Sequence, residues 1–145
     1  MSNASNYLES GLLTHIFRTS SFSKPSTIAV GLTQNVPVDA DIGSTPNELA
    51  NTGAYARVNV GAPSDSLWGP PIQDSFGSGY LGNTSAITFP TASANWGNTS
   101  GVIVTDSSAY GAGNILFWGA LPTPRNILAN DTFSFGVSGL KIFVN

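Results

Sequence analysis

"ITFPTASANWGNTSGVIVTDSSAYGAGNILFWGAL", residues 87–121, decides the fold. It contains no Lys, Arg, His or Cys and a single acid, Asp106. Two of its pieces, "GVIVTD" and "NILFWGAL", are the most apolar strand candidates in the chain. Between them "SSAYGAG" supplies glycines suited to a hairpin connection. Upstream, "AITFP" sets Ile87 and Phe89 on one face, and Pro90 stops that strand or marks an edge. So few titratable groups point to architecture before chemistry.

The period of two continues on both sides. "STIAVGLTQ" alternates Ile28, Val30 and Leu32 against Thr27, Ala29, Gly31 and Thr33, which reads as a half-buried strand. "AYARVNVG" sets Tyr55, Arg57 and Asn59 opposite Ala56, Val58 and Val60. At the far end Phe133, Phe135 and Val137 alternate, Gly139 breaks the run, and Leu140, Ile142 and Val144 resume it. "GNTSAITF" (82–89) and "GNTSGVIV" (97–104) echo one another and read as two adjacent turn-plus-strand units rather than a repeat array. Phe89, Trp96, Phe117, Phe133 and Phe135 are expected in one core. Short strands punctuated by Gly and Pro predict an all-β, antiparallel sandwich or barrel-like fold.

Before Pro25 the period is helical. "SNYLESGLLTHIFRTSSF" places Leu8, Leu12, Leu13, Ile16 and Phe17 on one apolar face, with Ser5 or Asn6 as cap. Gly11 weakens this helix, and Pro25 forces its predecessor into an extended state. The chain of 145 residues fits one globular domain, divided into an N-terminal helix and link (1–24) and a β-sandwich (25–145). The helix is expected to close an edge or face of that sandwich. Two segments, 35–53 and 61–85, lack clear periodicity yet carry apolar side chains that free linkers lack. They read as ordered excursions that cover a neighbour or a sheet edge.

Composition narrows the function. Only 9% of residues are charged, against about 25% in an average soluble domain. A surface short of Lys and Glu has little to desolvate when covered, and interface cores are depleted of the same residues. An extended contact surface is therefore expected. The five basic residues form no run, which argues against nucleic-acid binding. No apolar stretch reaches the roughly 18–20 residues of a membrane span. Cysteine is absent, so disulfides and thiolate metal sites are excluded. The Asn-x-Ser/Thr sequons at Asn3, Asn83, Asn98 and Asn130 arise readily in a chain this rich in Asn, Ser and Thr.

Catalytic constellations are hard to assemble. His15 is the sole histidine, with no Gly-x-Ser-x-Gly elbow, and a partly buried or interface histidine is the expected role. Asp39, Asp41 and Gly43 only loosely match a calcium loop: the Gly comes one place early and position 50 is Ala. They read as a turn. Most of the acids sit beside turn residues, where Asp caps its own backbone. "GSGYLG" (77–82) lacks the Lys-Ser/Thr end of a phosphate loop. Trp68, Trp96 and Trp118 each precede a Gly and are read as core or strand-end residues, with a sugar-stacking face as the lesser reading. No cofactor is expected.

The order "YLESGLLTHIF", "PSTIAVGLTQNVP", "YARVNV", "ITFPTASANWG", a strand ending at Asp106 and "GNILFWGALPTPRNILANDTFSF" resembles a family of small phage virion proteins described as tail-fibre-like or head decoration proteins. The resemblance runs nearly end to end. It implies a β-sandwich subunit that assembles in a virion, with no catalytic residue to carry over. The first expectation is a non-enzymatic capsid decoration (cement) protein on the phage head, homo-oligomeric, a trimer being one form, that bridges major capsid protein subunits. A tail or tail-fibre subunit in contact with tail proteins and host is the alternative, and a carbohydrate-binding module a second. Intersubunit contact is expected from Leu8, Leu12 and Ile16 on the helix, Ile42 and Leu49 in the first excursion, and Leu67, Trp68, Ile72, Phe76 and Tyr80 in the second.

Overall fold

The computed structural model describes residues 2–44, 46–75 and 78–144. It is an antiparallel β-sandwich with one short helix. The larger sheet orders β1 (Ser2–Ala4), β8 (Ile115–Ile127), β7 (Gly97–Thr105), β2 (Ile28–Thr33) and β3 (Val58–Gly61) side by side. Two smaller sheets face it. One orders β10 (Lys141–Val144), β5 (Gly79–Gly82) and β4 (Ile72–Gln73); the other pairs β6 (Ile87–Thr88) with β9 (Ser134–Phe135).

The core lies between these layers. Val30, Leu32, Val102, Val104 and Leu121 point inward from the large sheet and meet Ile87, Phe89, Phe133, Leu140 and Ile142. The five aromatic residues expected to share a core do so: Phe89, Trp96 and Phe133 are buried, and Phe117 and Phe135 pack against them half-buried. The Trp96 indole N–H donates to the Gly53 carbonyl at 2.7 Å. The quoted stretch forms β6, β7 and β8, with β7 and β8 joined through residues 106–114. Asp106 closes that connection by accepting from the Asn114 backbone and side-chain N–H groups at 2.6 and 2.8 Å.

Strand β8 runs further than its apolar segment, through Pro122 and Pro124. Proline has no N–H for a ladder and is tolerated where one strand edge is unpaired. On β8, the short β1 pairs only with Phe117, Trp118 and Gly119, which leaves that edge open at the prolines. The register with β7 jumps at the same place, from Thr99↔Arg125 to Gly101↔Ala120.

Strand β2 is buried on both faces rather than one. The excursion 34–48 lies over its outer side, so Ala29 and Ile103 there are fully buried. A Cβ on Gly31 would stand 2.9 Å from Glu48 Oε1, so the side chain that covers this face requires glycine beneath it. The excursion therefore covers the chain's own sheet.

The second excursion contains structure that its glycines concealed. Strands β4 and β5 pair antiparallel, and beside them the Asp74 carboxylate accepts from the Ser78 N–H at 2.9 Å. The two GNTS copies are not equivalent. Asn83 is buried and anchors a turn: its Oδ1 accepts from Leu140 N–H, and its Nδ2 donates to the Ser85 and Gly136 carbonyls. Asn98 lies exposed within β7. "AYARVNVG" is a strand only from Val58, and Val137 and Val144 are exposed despite their alternation.

Helix α1 spans Asn6–Phe17 with Ser5 as its N-cap. The Ser5 hydroxyl accepts from Leu8 N–H and donates to the Ile115 carbonyl, while Ser5 N–H reaches Leu116 O at 3.1 Å. Asn6 N–H bonds Asp39 O at 3.1 Å. These bonds fix the start of the helix to β8 and to the first excursion. The N-terminal segment also gives the large sheet its edge strand β1, beyond the helix and link expected there.

Candidate interaction surface

The large sheet and the β10–β5–β4 sheet do not close along their whole length. Between them lies a cleft of about 870 Å³. Ile28, Val104, Leu116 and Phe117 form one wall, Tyr80, Leu81, Ile142 and Val144 the other, and Trp68 with Pro70 and Pro71 the end. Lys24, Ser64 and Asp65 are its exposed polar neighbours. Tyr80 is held flat by stacking on Phe143 at 5.1 Å, and Lys141 Nζ lies 5.1 Å from its ring centre. The Trp68 indole N–H is buried and has no protein partner among the described residues.

Helix α1 supplies a second apolar surface. Leu8 faces inward and is buried. Leu12 is at the border, and Leu13, Ile16 and Phe17 stand 59%, 65% and 77% exposed. The apolar stripe is wider than the strip that β8 covers, so the single face read in the sequence is divided between interior and solvent.

The residues expected to make contact fall into three groups. Leu12, Ile16, Ile42 and Ile72 are exposed. Leu67, Trp68 and Tyr80 are half-buried, the last two in the cleft wall. Leu8 and Leu49 are buried within the chain, which leaves them little surface to offer a partner. Phe76 lies outside the described residues. Sequence reading did not find Ile28, Phe117 and Ile142 as cleft residues, since their alternation marks them as core and nothing in a period of two shows where facing sheets part.

A buried polar cluster was also not visible in the sequence. Arg57 and Glu48 pair at two contacts, Nε to Oε1 at 2.9 Å and Nη2 to Oε2 at 2.8 Å. The guanidinium also donates to the carbonyls of Gly43, Ser107 and Ala112. Tyr55 donates to Glu48 at 2.8 Å and accepts from Leu32 N–H at 2.9 Å. Burial, reinforced by the Glu48 charge, pushes the Tyr55 phenol above its ordinary range. Every polar atom of this cluster is used in holding loops to β2, so it is structural.

The groups weighed for chemistry stay apart. His15 is exposed, and its Nδ1 accepts from Phe22 N–H at 3.2 Å, which corrects the expected partial burial. Asp41 accepts from Val38 N–H at 2.9 Å, as a turn residue does. Among the described residues no three His, Asp or Glu side chains gather to hold a metal ion. No helix is long and apolar enough to cross a membrane among them.

No curated protein matches the chain. The family model described as Podophage GP4 fiber I protein gp80 matches residues 3–142, from the edge strand β1 into β10. A match over residues 3–142 carries the helix and nearly all of the three sheets, and the chain belongs to this family of phage virion structural proteins.

Proposed function

We propose that the protein is a subunit of a tail-side fibre and works by packing against other virion subunits rather than by turning over a substrate. The exposed stripe of Leu13, Ile16 and Phe17 carries this reading. Apolar surface gains about 25 cal/mol per Å² when it leaves water, and a contiguous exposed patch usually marks a partner surface. With 9% charged residues, the remaining surface loses little solvation when a neighbour covers it. The fibre description of the family favours the tail over the head. The partners are then tail proteins and further copies of the chain.

Head decoration uses the same chemistry, since a bridge between major capsid subunits stabilises only the assembled state. The two readings differ in place and number. Immunogold labelling and quantitative mass spectrometry of purified virions test them. Label at the tail and a few copies per particle are expected; hundreds of copies over the head would establish the protein as cement.

A further inference from the structure

We propose that the α1 stripe of one copy seats in the apolar cleft of a second copy of this chain. The inference rests on the assembling-subunit reading above and names the partner of that surface.

Both surfaces are apolar, and neither serves the other within a chain, because no α1 residue lines its own cleft. Their volumes suit each other. A cleft of about 870 Å³ has room for the Leu13, Ile16 and Phe17 side chains of one helix face, as pockets of roughly 300–1,000 Å³ admit compact apolar ligands. Their charges also suit each other. Glu9 precedes Leu13 by one turn on the same face, and Arg18 caps the C-terminal end. Lys24 and Asp65 border the cleft. In a chain with five basic and eight acidic side chains, all four are outside the one ion pair among the described residues, Arg57–Glu48. The stripe is flanked by one charge of each sign and so is the cleft, which lets Glu9 meet Lys24 and Arg18 meet Asp65.

Half-buried Trp68 ends the cleft and gives the last turn of a docked helix an apolar ring to pack against. Because stripe and cleft are different patches, the contact is head-to-tail and extends into a row or closes into a ring.

Analytical ultracentrifugation tests this with Phe17→Asp and Val144→Asp, both at exposed positions, with near-UV circular dichroism confirming the fold. The unmodified chain is expected to self-associate with rising concentration, and each variant to remain at the 15.0 kDa of one chain. An equimolar mixture retains one intact stripe and one intact cleft, and it is expected to form dimers that grow no further. A monomeric unmodified chain, an associating Phe17→Asp variant, or a mixture that stays monomeric each overturns the proposal. If it fails while immunogold still places the protein at the tail, the fibre reading stands and α1 meets a different tail protein.

Discussion

Arg57 and Glu48 face each other as a two-pronged ion pair, Nε to Oε1 at 2.9 Å and Nη2 to Oε2 at 2.8 Å, with both side chains almost wholly removed from water. In a chain this poor in charge, one of its five basic residues is spent inside. The pair holds the first excursion and the 106–114 connection to the outer face of the large sheet. Removing one partner of a buried pair typically costs about 3–5 kcal/mol. Arg57→Ala is therefore expected to lower the urea midpoint strongly, and Glu48→Gln less, since the amide still accepts from Tyr55. A midpoint unchanged in Arg57→Ala would show that the excursion holds without it.

The same cluster makes stability depend on alkaline pH. Burial raises the Tyr55 phenol above the ordinary value of 10. The unfolded chain then releases that proton at lower pH than the folded one, so this contribution is whole below about pH 10 and falls as pH rises beyond it. In a titration at 295 nm, Tyr55 is expected to ionise only as the protein unfolds. Ionisation of Tyr55 in the folded state contradicts this.

Burial ranks the core aromatics. Phe89 is 2% exposed and meets Tyr55 and Phe133, whereas Phe135 is half-buried at the end of a two-residue strand. Phe89→Ala is expected to cost about 3–5 kcal/mol, and Phe135→Ala less. Thermal melts of the two variants give the order.

The two GNTS asparagines differ in the same way. Asn83→Ala leaves the buried Leu140 N–H without its side-chain partner, at a cost of about 1–3 kcal/mol. Asn98→Ala, at an exposed site, is expected to stay within about 0.5 kcal/mol. Equal losses would mean that the echo has structural meaning after all.

Gly11 reverses its usual sign. Alanine in a helix interior normally gains about 1 kcal/mol over glycine. Here a Cβ would stand 2.3 Å from the Phe22 ring, which also meets Tyr7 edge-on at 5.7 Å. Gly11→Ala is expected to dislodge Phe22 and open the link to trypsin at Arg18 and Lys24, which limited proteolysis measures. Unchanged cleavage would show that the ring has room to shift.

Alternation made much of this legible. The strands around Val30, Ile103 and Phe117, the helix with its Ser5 cap and the shared aromatic core all follow from period and turn chemistry. What escaped has physical reasons. The β4–β5 pair is held by pairing to β10 more than by its own glycine-rich sequence. Ala29 and Gly31 look like the exposed side of a strand until a distant loop covers them. Arg57 in an alternating run reads as surface, because its partners come from positions 43, 48, 107 and 112. The cleft is a property of how two sheets diverge, which no single segment encodes, so Trp68 and Tyr80 were noticed for their apolar character and not for their place.

Phe143 N–H donates to the Ser2 hydroxyl at 2.7 Å, so the first and last strands meet although 141 positions separate these residues. The chain is nearly a closed circle. A short linker between residues 2 and 143 joins them without disturbing the sheets, and new ends can be opened in the exposed run around Ser64–Ser66. Such a permutant retains helix α1 and the sheets, and its new ends leave at the rim of the cleft, where Ser64 and Asp65 lie.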